Sequence, residues 1–228
     1  NQKIPSFLPL PKTTSNSLLK MTLKRTPLYE LYINANCRIS PFAGWEMPIQ
    51  FSGLVKEHQA VRSSAGVFDI SHMGVLQLEG KNPKDSLQKL VPTDLNRIGP
   101  GEACYTLLLN EKGGVIDDLI IYDFGTNDHN EEKLIIVINA ACYTSDINWL
   151  KKHLLKKEIR ITDAKNNGVL LAVQGPKAQK TLERLFNKSL NNLPPFGHQQ
   201  IQLNIKSTKT KQAANSIFIA RTGYTGED

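Results

Sequence analysis

Two adjacent carboxylic acids, Asp117 and Asp118, lie inside a run of strand-forming residues from Val115 to Tyr122. Acidic residues are depleted from β-strands, and neighbouring residues of a strand point to opposite faces. One carboxylate is therefore expected to face inward, where a buried charge needs a partner. Tyr122 follows Asp118 by four residues, so the two side chains share a face and an aromatic ring lies near the acid. This pattern indicates a binding or catalytic site.

A β-hairpin is the element that must position these acids. Residues 103–109 and 115–122 are rich in β-forming types, and residues 110–114, Asn-Glu-Lys-Gly-Gly, are polar and end in two glycines. Such a segment between two strand-like runs predicts a tight antiparallel turn. The phase of Tyr122 agrees with Asp118 as the central acid of the pair, with Asp117 as its outward neighbour.

The rest of the chain alternates irregularly between predicted helices and strands. Helices are predicted near residues 27–35, 53–64, 82–91, 144–155 and 176–186. Strands are predicted near 67–79, 134–139, 169–173, 199–205 and 216–220, and the proline-containing segment 40–51 is predicted to be a loop. Hairpins without repeated parallel crossovers favour an α+β fold, with antiparallel sheets and packed helices.

The 228-residue chain has a net charge of +7, and its basic residues are scattered without interleaved aromatic residues. This distribution predicts no nucleic-acid partner, although it would attract a polyanionic ligand or an acidic carrier protein. No apolar run is long enough to cross a bilayer, so no membrane association is predicted. A basic nucleic-acid-binding module remains an alternative interpretation.

Several cofactor classes are not expected from the sequence. No cluster of cysteine and histidine has the spacing of metal ligands, so no metal is predicted. No Gly-x-Gly-x-x-Gly follows a strand, which argues against a built-in flavin or nicotinamide site. Cys37, Cys104 and Cys142 form no Cys-x-x-Cys pair, and we interpret them as reduced thiols in a reducing compartment.

Residues 1–24 are predicted to be a disordered or extended leader. The first acid of the chain is Glu30, and residues 1–24 carry lysines, serines, threonines and three prolines without an apolar core. It does not resemble a secretory signal. A cytoplasmic location is predicted, with an organelle matrix as the alternative if this acid-free segment is a transit peptide.

Five sequence blocks, in order, resemble the aminomethyltransferase family, the T-protein of the glycine cleavage system. They read SPFAGWEMP from Ser40, FDISHMG from Phe68, GGVIDDLI from Gly113, LAVQGPK from Leu171 and RTGYTGED from Arg221. The resemblance implies a folate-binding region over residues 25–228. It further implies two intertwined subdomains, one from about 25–75 and 165–228, and one from about 76–164 inserted into it.

The same resemblance assigns roles to individual residues. It implies that Asp118 is the catalytic acid. The side chains implied to contact tetrahydrofolate, the co-substrate, are Met73, Tyr105, Tyr122, Asn139 and Tyr224. Members of the family continue past the point that corresponds to Asp228 with a glycine, a pterin-binding glutamate and a barrel-like domain. We therefore expect this sequence to represent the N-terminal portion of such a protein, with the C-terminal barrel domain absent.

The implied reaction transfers an aminomethyl carbon from the lipoyl arm of the H-protein to tetrahydrofolate, which yields methylenetetrahydrofolate and ammonia. The H-protein and the other glycine cleavage components would be the partners. Two alternatives belong to the same folate-binding family: the folate domain of a demethylating oxidase, and a non-catalytic iron–sulfur assembly protein. The assembly protein carries Lys-Gly-Cys-Tyr where this chain has Arg221-Thr-Gly-Tyr, which argues against it.

Overall fold

The computed structural model describes residues 22–154, 158–165, 168–202 and 216–228. The predicted leader lies outside these residues except for its last three positions. The lysine-rich segment 206–211 and the end of the strand predicted near 199–205 also lie outside them.

The described residues form twelve strands and five α-helices. The strands are β1 (Lys24–Arg25), β2 (Arg38–Phe42), β3 (Trp45–Gln50), β4 (Gly66–Asp69), β5 (Gly74–Gly80), β6 (Ala103–Leu109), β7 (Val115–Thr126), β8 (Glu132–Ile138), β9 (Ile159–Asp163), β10 (Leu171–Gln174), β11 (His198–Gln202) and β12 (Ser216–Ala220). The helices are α1 (Tyr29–Asn34), α2 (Leu54–Ser63), α3 (Pro83–Leu87), α4 (Tyr143–Leu154) and α5 (Ala178–Phe186), and 3-10 turns cover Gln88–Leu90 and Leu95–Arg97.

A five-stranded antiparallel sheet in the order β6-β7-β8-β5-β9 is the largest sheet of the described structure. Its side chains alternate between two faces, as the period of a strand requires. We call the side covered by α3 and α4 the helix face. Fully buried residues such as Leu76, Ile121, Ile136, Leu150 and Leu154 form the core there. Each such side chain stabilises the fold by about 1.5–3 kcal/mol relative to an exposed position.

We call the opposite side of this sheet the open face. It carries Tyr105, Asp118, Ile120, Tyr122 and Val137, in register across β6, β7 and β8. A smaller apolar cluster covers part of this face, and Ala220 of β12 packs against it. The helix face therefore supplies most of the core, whereas the open face leaves side chains available to a ligand.

The remaining strands form three small sheets. Strands β10 and β4 pair antiparallel, as do β11 and β12, and a three-stranded sheet has the order β1-β3-β2. The pair β1–β3 is parallel and all other strand pairs among the described residues are antiparallel. The predicted α+β class with antiparallel sheets and packed helices is confirmed. The division into two subdomains stays a prediction.

The prediction of a loop over residues 40–51 is wrong, because that segment contains most of the β2–β3 hairpin. Its turn is made by Ala43 and Gly44, with φ of 47° and 82°. Positive φ at both central residues is the geometry of the favoured two-residue hairpin turns. Pro48 is tolerated inside β3 because β1 pairs only with Trp45 and Glu46, so the proline lies beyond that pairing.

No helix among the described residues has both the length and the apolar character needed to cross a bilayer.

Candidate functional site

The Asp118 side chain is exposed on the open face, in line with Ile120 and buried Tyr122 along β7. The predicted hairpin is confirmed: Leu107 of β6 lies opposite Asp118, and Ala103 lies opposite Tyr122. The acid and the tyrosine are therefore two strand positions of the same parity, on one surface.

The sequence interpretation of Asp117 as the outward neighbour is wrong. Asp117 is only 7% exposed and points to the helix face. It shares strand parity with Leu119 and Ile121, and the burial of these two side chains in the core fixes which acid turns inward. Asp118 is consequently the outward acid, and its carboxylate is accessible to a ligand.

Asn139, the residue after β8, connects the two acids. Its backbone N–H donates to Asp117 Oδ2 at 3.1 Å, and its side-chain Nδ2 donates to Asp117 Oδ1 at 2.9 Å. The same Nδ2 lies 3.1 Å from Asp118 Oδ1. One amide group thus bridges a buried and an exposed carboxylate, which restricts the rotation of the Asp118 side chain.

Tyr105 approaches Asp118 from the neighbouring strand β6. Its side chain is 53% exposed, and its hydroxyl lies near enough to the Asp118 carboxylate for that acid to act on it. The charge of Asp118 is the main cause that raises the pKa of Tyr105, with a smaller contribution from burial. The phenol therefore stays protonated and can act as a donor toward the carboxylate at neutral pH.

Met73 lies at the same end of the sheet by register. Gly74 of β5 pairs with Ile138 of β8, so Met73 is placed next to Asn139. The turn before β5 is fastened by Lys165, whose Nζ donates to the Met73 carbonyl oxygen at 2.9 Å and to the Ser71 carbonyl oxygen. Met73, Asn139 and Asp118 thus follow one another across β5, β8 and β7.

Tyr122 forms part of a buried aromatic cluster. Its hydroxyl lies 3.2 Å from Thr222 Oγ1, and its ring packs edge-on against His198 and Phe218. Burial raises the pKa of Tyr122. Tyr122 is itself only 4% exposed, so it lies beneath the open face rather than at its surface.

Tyr224 lies apart from the row formed by the other candidates. It is 61% exposed, and its ring packs edge-on against Phe68 with 6.2 Å between ring centroids. Its backbone N–H donates to Gln174 Oε1 at 3.4 Å. The link to the open face runs through Thr222, two residues earlier in the chain, which contacts Tyr122.

Asp146 of α4 is a site residue that the sequence interpretation missed. It is completely buried, the nearby Asp117 carboxylate acts on it, and its Oδ2 atom receives no hydrogen bond from the described residues. Burial raises the pKa of Asp146 to about 8, and its hydrogen bond to Asp117 and the charge of that acid add to the rise. Asp146 is in phase with Leu150 and Leu154, and an acid on an apolar helical stripe is the signal that could have revealed it.

The pKa of Asp117 shifts in the opposite direction. Burial, the largest single influence, favours its neutral form, but hydrogen bonds from Asp146, from Asn139 and from the backbone together lower the pKa. Asp117 is therefore the charged member of the buried pair, and Asp146 holds the proton. Two carboxyl groups in contact within an apolar core cannot both be ionised without a large energetic penalty.

The candidate residues on the described open face do not form a site suited to a metal ion. Within residues 22–154, 158–165, 168–202 and 216–228, no group of three or more histidine, cysteine or acidic side chains has ligand geometry. The open face instead offers a partly apolar surface with the Asp118 carboxylate at one end. Such a surface is suited to a planar heterocycle that presents N–H groups or positive charge to Asp118.

The family model described as the GCVT N-terminal domain matches residues 28–228 of the chain. The chain belongs to this family. Its curated relatives include an aminomethyltransferase of Prochlorococcus marinus (strain MIT 9313), 64% identical over 208 residues, and one of Synechococcus sp. (strain CC9902), 59% identical over 204 residues. These matches cover 91% and 90% of this chain, and 55% and 54% of the two relatives.

A solved structure of the GCVT family supports the fold. The crystal structure of glycine cleavage system aminomethyltransferase T from Bartonella henselae is 32% identical in sequence, with a TM-score of 0.73. The match covers 90% of this chain and 52% of that chain. The chain thus spans about half the length of the relatives that it matches.

Proposed function

We propose that this chain is the folate-binding part of an aminomethyltransferase that acts in glycine cleavage. The observation that carries the proposal is the exposed Asp118 carboxylate, held by Asn139 beside Tyr105 on the open face of a chain that belongs to the GCVT family. The relatives that bear the name aminomethyltransferase support the reaction class.

The residues present on the open face fit a reduced folate. Tyr105 offers an exposed aromatic ring, Ile120 and Val137 offer a flat apolar surface, and Asp118 lies at its end. Aromatic and aliphatic walls suit a pterin ring, and a carboxylate suits its N–H groups. Met73 would add a polarisable contact at the same end of the sheet. Tyr224 would add an aromatic contact from its exposed ring, which packs against Phe68 of β4.

When bound, tetrahydrofolate supplies the amine nitrogens that accept the one-carbon unit. The Asp118 carboxylate would accept a hydrogen bond from such a nitrogen, and would stabilise the positive charge that develops as ammonia leaves. Asn139 and Tyr105 would keep the carboxylate in its reactive orientation, so the contribution of the protein is mainly positioning and electrostatic. None of these roles requires a covalent nucleophile.

The donor of the aminomethyl group is proposed to be the lipoyl arm of the H-protein. The positive net charge of the chain, +7, would favour an acidic carrier and a polyglutamylated folate. The other glycine cleavage components would be further partners. The cytoplasmic location stays a prediction.

The test uses a chimaera in which this chain replaces the matching 55% of the Prochlorococcus marinus relative. Release of ammonia from aminomethylated H-protein is measured with and without tetrahydrofolate. We expect folate-dependent release by the chimaera. We expect Asp118→Asn to lower kcat by about 100-fold or more, the range for loss of a proton-transferring side chain.

Asp128→Asn, in an exposed loop, is the matched control and should leave the rate unchanged. Folinate, a stable reduced folate, is titrated separately into this chain by calorimetry. A chimaera that folds but releases ammonia at the same rate without tetrahydrofolate would contradict the proposed reaction. Full activity in Asp118→Asn would contradict the role of that residue.

A further inference from the structure

Asp146 occupies an unusual place for an acid. It lies in the first turn of α4 and points at the five-stranded sheet together with Leu150 and Leu154, and all three side chains are completely buried. Its backbone N–H donates to the Cys142 carbonyl oxygen at 2.9 Å, which fixes the start of the helix. A buried carboxyl group at such a position is unfavourable unless it is neutral or forms a hydrogen bond with a specific partner.

The partner is Asp117 of β7. The two carboxyl groups interact within the core, where both cannot be ionised without a large penalty, so one of them carries a proton that the other can accept. The Ser145 hydroxyl donates to the Cys142 carbonyl oxygen at 2.7 Å and also lies 3.3 Å from Asp146 Oδ1, whereas Asp146 Oδ2 is buried and receives no hydrogen bond from the described residues. This leaves Oδ2 as the atom that carries the proton and donates to Asp117.

The groups that face this carboxyl pair come from three elements. Ser145 and Cys142 belong to α4 and the turn before it, Asn139 follows β8, and Asp118 neighbours Asp117 on β7. Burial raises the pKa of the Cys142 thiol, and the nearby acids add to the rise, so the thiol remains neutral. No cation acts on Asp146 among the residues that the structure describes.

The pair is connected to the exposed acid by one residue. Asp117 receives both the backbone N–H and the side-chain amide of Asn139, and that side-chain amide also reaches Asp118 Oδ1. The chain of contacts therefore runs from the helix face to the open face as Asp146, Asp117, Asn139 and Asp118. Asp146 would donate to Asp117, and Asn139 donates to both Asp117 and Asp118, so both of these acids are stabilised in their charged form.

We infer that Asp146 is a positioning residue for the proposed reaction: its carboxyl group, as a hydrogen-bond donor, holds Asp117 in place to orient Asn139, and Asn139 in turn orients the Asp118 carboxylate on the open face. The inference rests on the proposed function. Loss of the proton from Asp146 would put two negative charges side by side, and the Asn139 amide would lose its fixed position. The rate of the reaction should therefore fall at alkaline pH, because Asp146 on the helix face loses its proton.

The first measurement needs no ligand. The side-chain amide resonances of Asn139 are followed by NMR in the ¹⁵N-labelled chain between about pH 6 and 10. This range is centred on the pKa of Asp146, which is raised to about 8. We expect the wild-type resonances to shift with a midpoint near that value. In Asp146→Asn the new amide at position 146 can donate to Asp117 at every pH. The pH-dependent shift of the Asn139 resonances should therefore disappear. A wild-type chain without this midpoint, or a variant that keeps it, would overturn the inference.

The second measurement uses the chimaera and its ammonia-release assay. We expect Asp146→Asn to keep kcat within about twofold at pH 7 and to lack the alkaline decline of the wild type. Asp146→Ala, which cannot donate, should lower kcat by about tenfold, of the order of a lost hydrogen bond to a charged group.

The outcomes of the two proposals are distinguishable. If the wild type is active and Asp118→Asn is inactive, an unchanged alkaline decline in Asp146→Asn overturns the positioning role alone. If the folded wild type shows no folate-dependent release, the proposed function fails, and the NMR midpoint still decides whether Asp146 controls Asn139. Should Asp146→Ala fail to fold, Asp146→Asn decides the matter by itself.

Discussion

At the scale of single residues, two neighbouring acids have opposite environments because a strand alternates its side chains. Asp117 is enclosed beneath α4 and its pKa is lowered by the hydrogen bonds it receives, whereas Asp118 is exposed beside Tyr105. One residue, Asn139, touches both. Substitutions on the open face should therefore change ligand binding, whereas substitutions in the buried acid pair should change the stability of the fold.

Replacing Tyr105 with phenylalanine tests the contact between the two open-face side chains. The substitution keeps the ring and removes only the hydroxyl, which lies near Asp118 and could donate to it or to a ligand. We expect the affinity for folinate to fall by about three- to tenfold, the range for one hydrogen bond. Calorimetry on the chain measures this, with Tyr29→Phe, on α1, as the control. Equal affinities of all three proteins would show that the hydroxyl has no role in binding.

The pH dependence of stability tests the buried acid pair. Asp146 ionises near pH 4 in an unfolded chain and near 8 in the fold. Because its folded-state pKa is raised, the stability that it contributes is fully present below about pH 4 and is lost as the pH rises toward 8. One proton changes the free energy of unfolding by at most about 1.4 kcal/mol per pH unit.

Urea unfolding at pH 5, 6, 7 and 8 compares the wild type with Asp146→Asn. The wild-type free energy of unfolding should fall more steeply with pH than that of the variant, which has no proton to lose. Asp128→Asn should follow the wild-type curve. Parallel curves for the wild type and Asp146→Asn would mean that Asp146 is already ionised in the fold at neutral pH.

At the scale of elements, the sequence predicted the hairpin of β6 and β7 and the strand β12 closely. It did so because alternating apolar residues and a Gly-Gly turn act locally. It did not predict β2 and β3, since prolines within them suggested a loop. It also placed the wrong acid of the 117–118 pair inward, because strand phase depends on which face the helices cover. That choice is made by residues distant in sequence, such as Leu150.

A buried ion pair joins α3 to the helix face of the sheet. Lys84 Nζ contacts Asp123 Oδ2 of β7, and the side chains are 18% and 5% exposed. Lys84→Met would leave the Asp123 charge buried without its partner, and we expect a loss of about 3–5 kcal/mol of unfolding free energy.

The matched control for this prediction is Lys152→Met. Lys152 pairs with Glu111 at 3.1 Å, but both side chains are largely exposed, so we expect a loss below about 1 kcal/mol. Chemical denaturation of both variants measures the difference. Similar losses in the two variants would show that burial of the Lys84 pair adds nothing.

The turn between β6 and β7 positions Asp118, and its conformation depends on Gly113. This residue has φ of 77°, and a Cβ there would meet no atom within 4 Å. Gly113→Ala should therefore destabilise the chain through backbone strain alone, by about 1 kcal/mol. Gly99→Ala, at a glycine without positive φ, should change stability much less. Thermal unfolding distinguishes the two, and equal effects would contradict the argument from strain.

At the scale of the whole molecule, the charge of +7 is expected to act on ligands rather than on the fold. Tetrahydrofolate with a polyglutamate tail should bind more tightly than the monoglutamate. The ratio of the two affinities should shrink as sodium chloride rises from about 0.05 to 0.5 M, because salt screens exposed charges. Titration calorimetry of both forms measures the ratio. A ratio that does not change with salt would exclude long-range attraction.

The contact between Tyr122 and Thr222 joins positions one hundred residues apart. All five strands of the large sheet, the last of which ends at Asp163, are synthesised before the ribosome adds Thr222, the residue that binds the Tyr122 hydroxyl. Nascent chains arrested between these two stages should already protect their sheet amides from exchange with deuterium. They should acquire affinity for a reduced folate only when the β11–β12 ribbon has emerged from the exit tunnel.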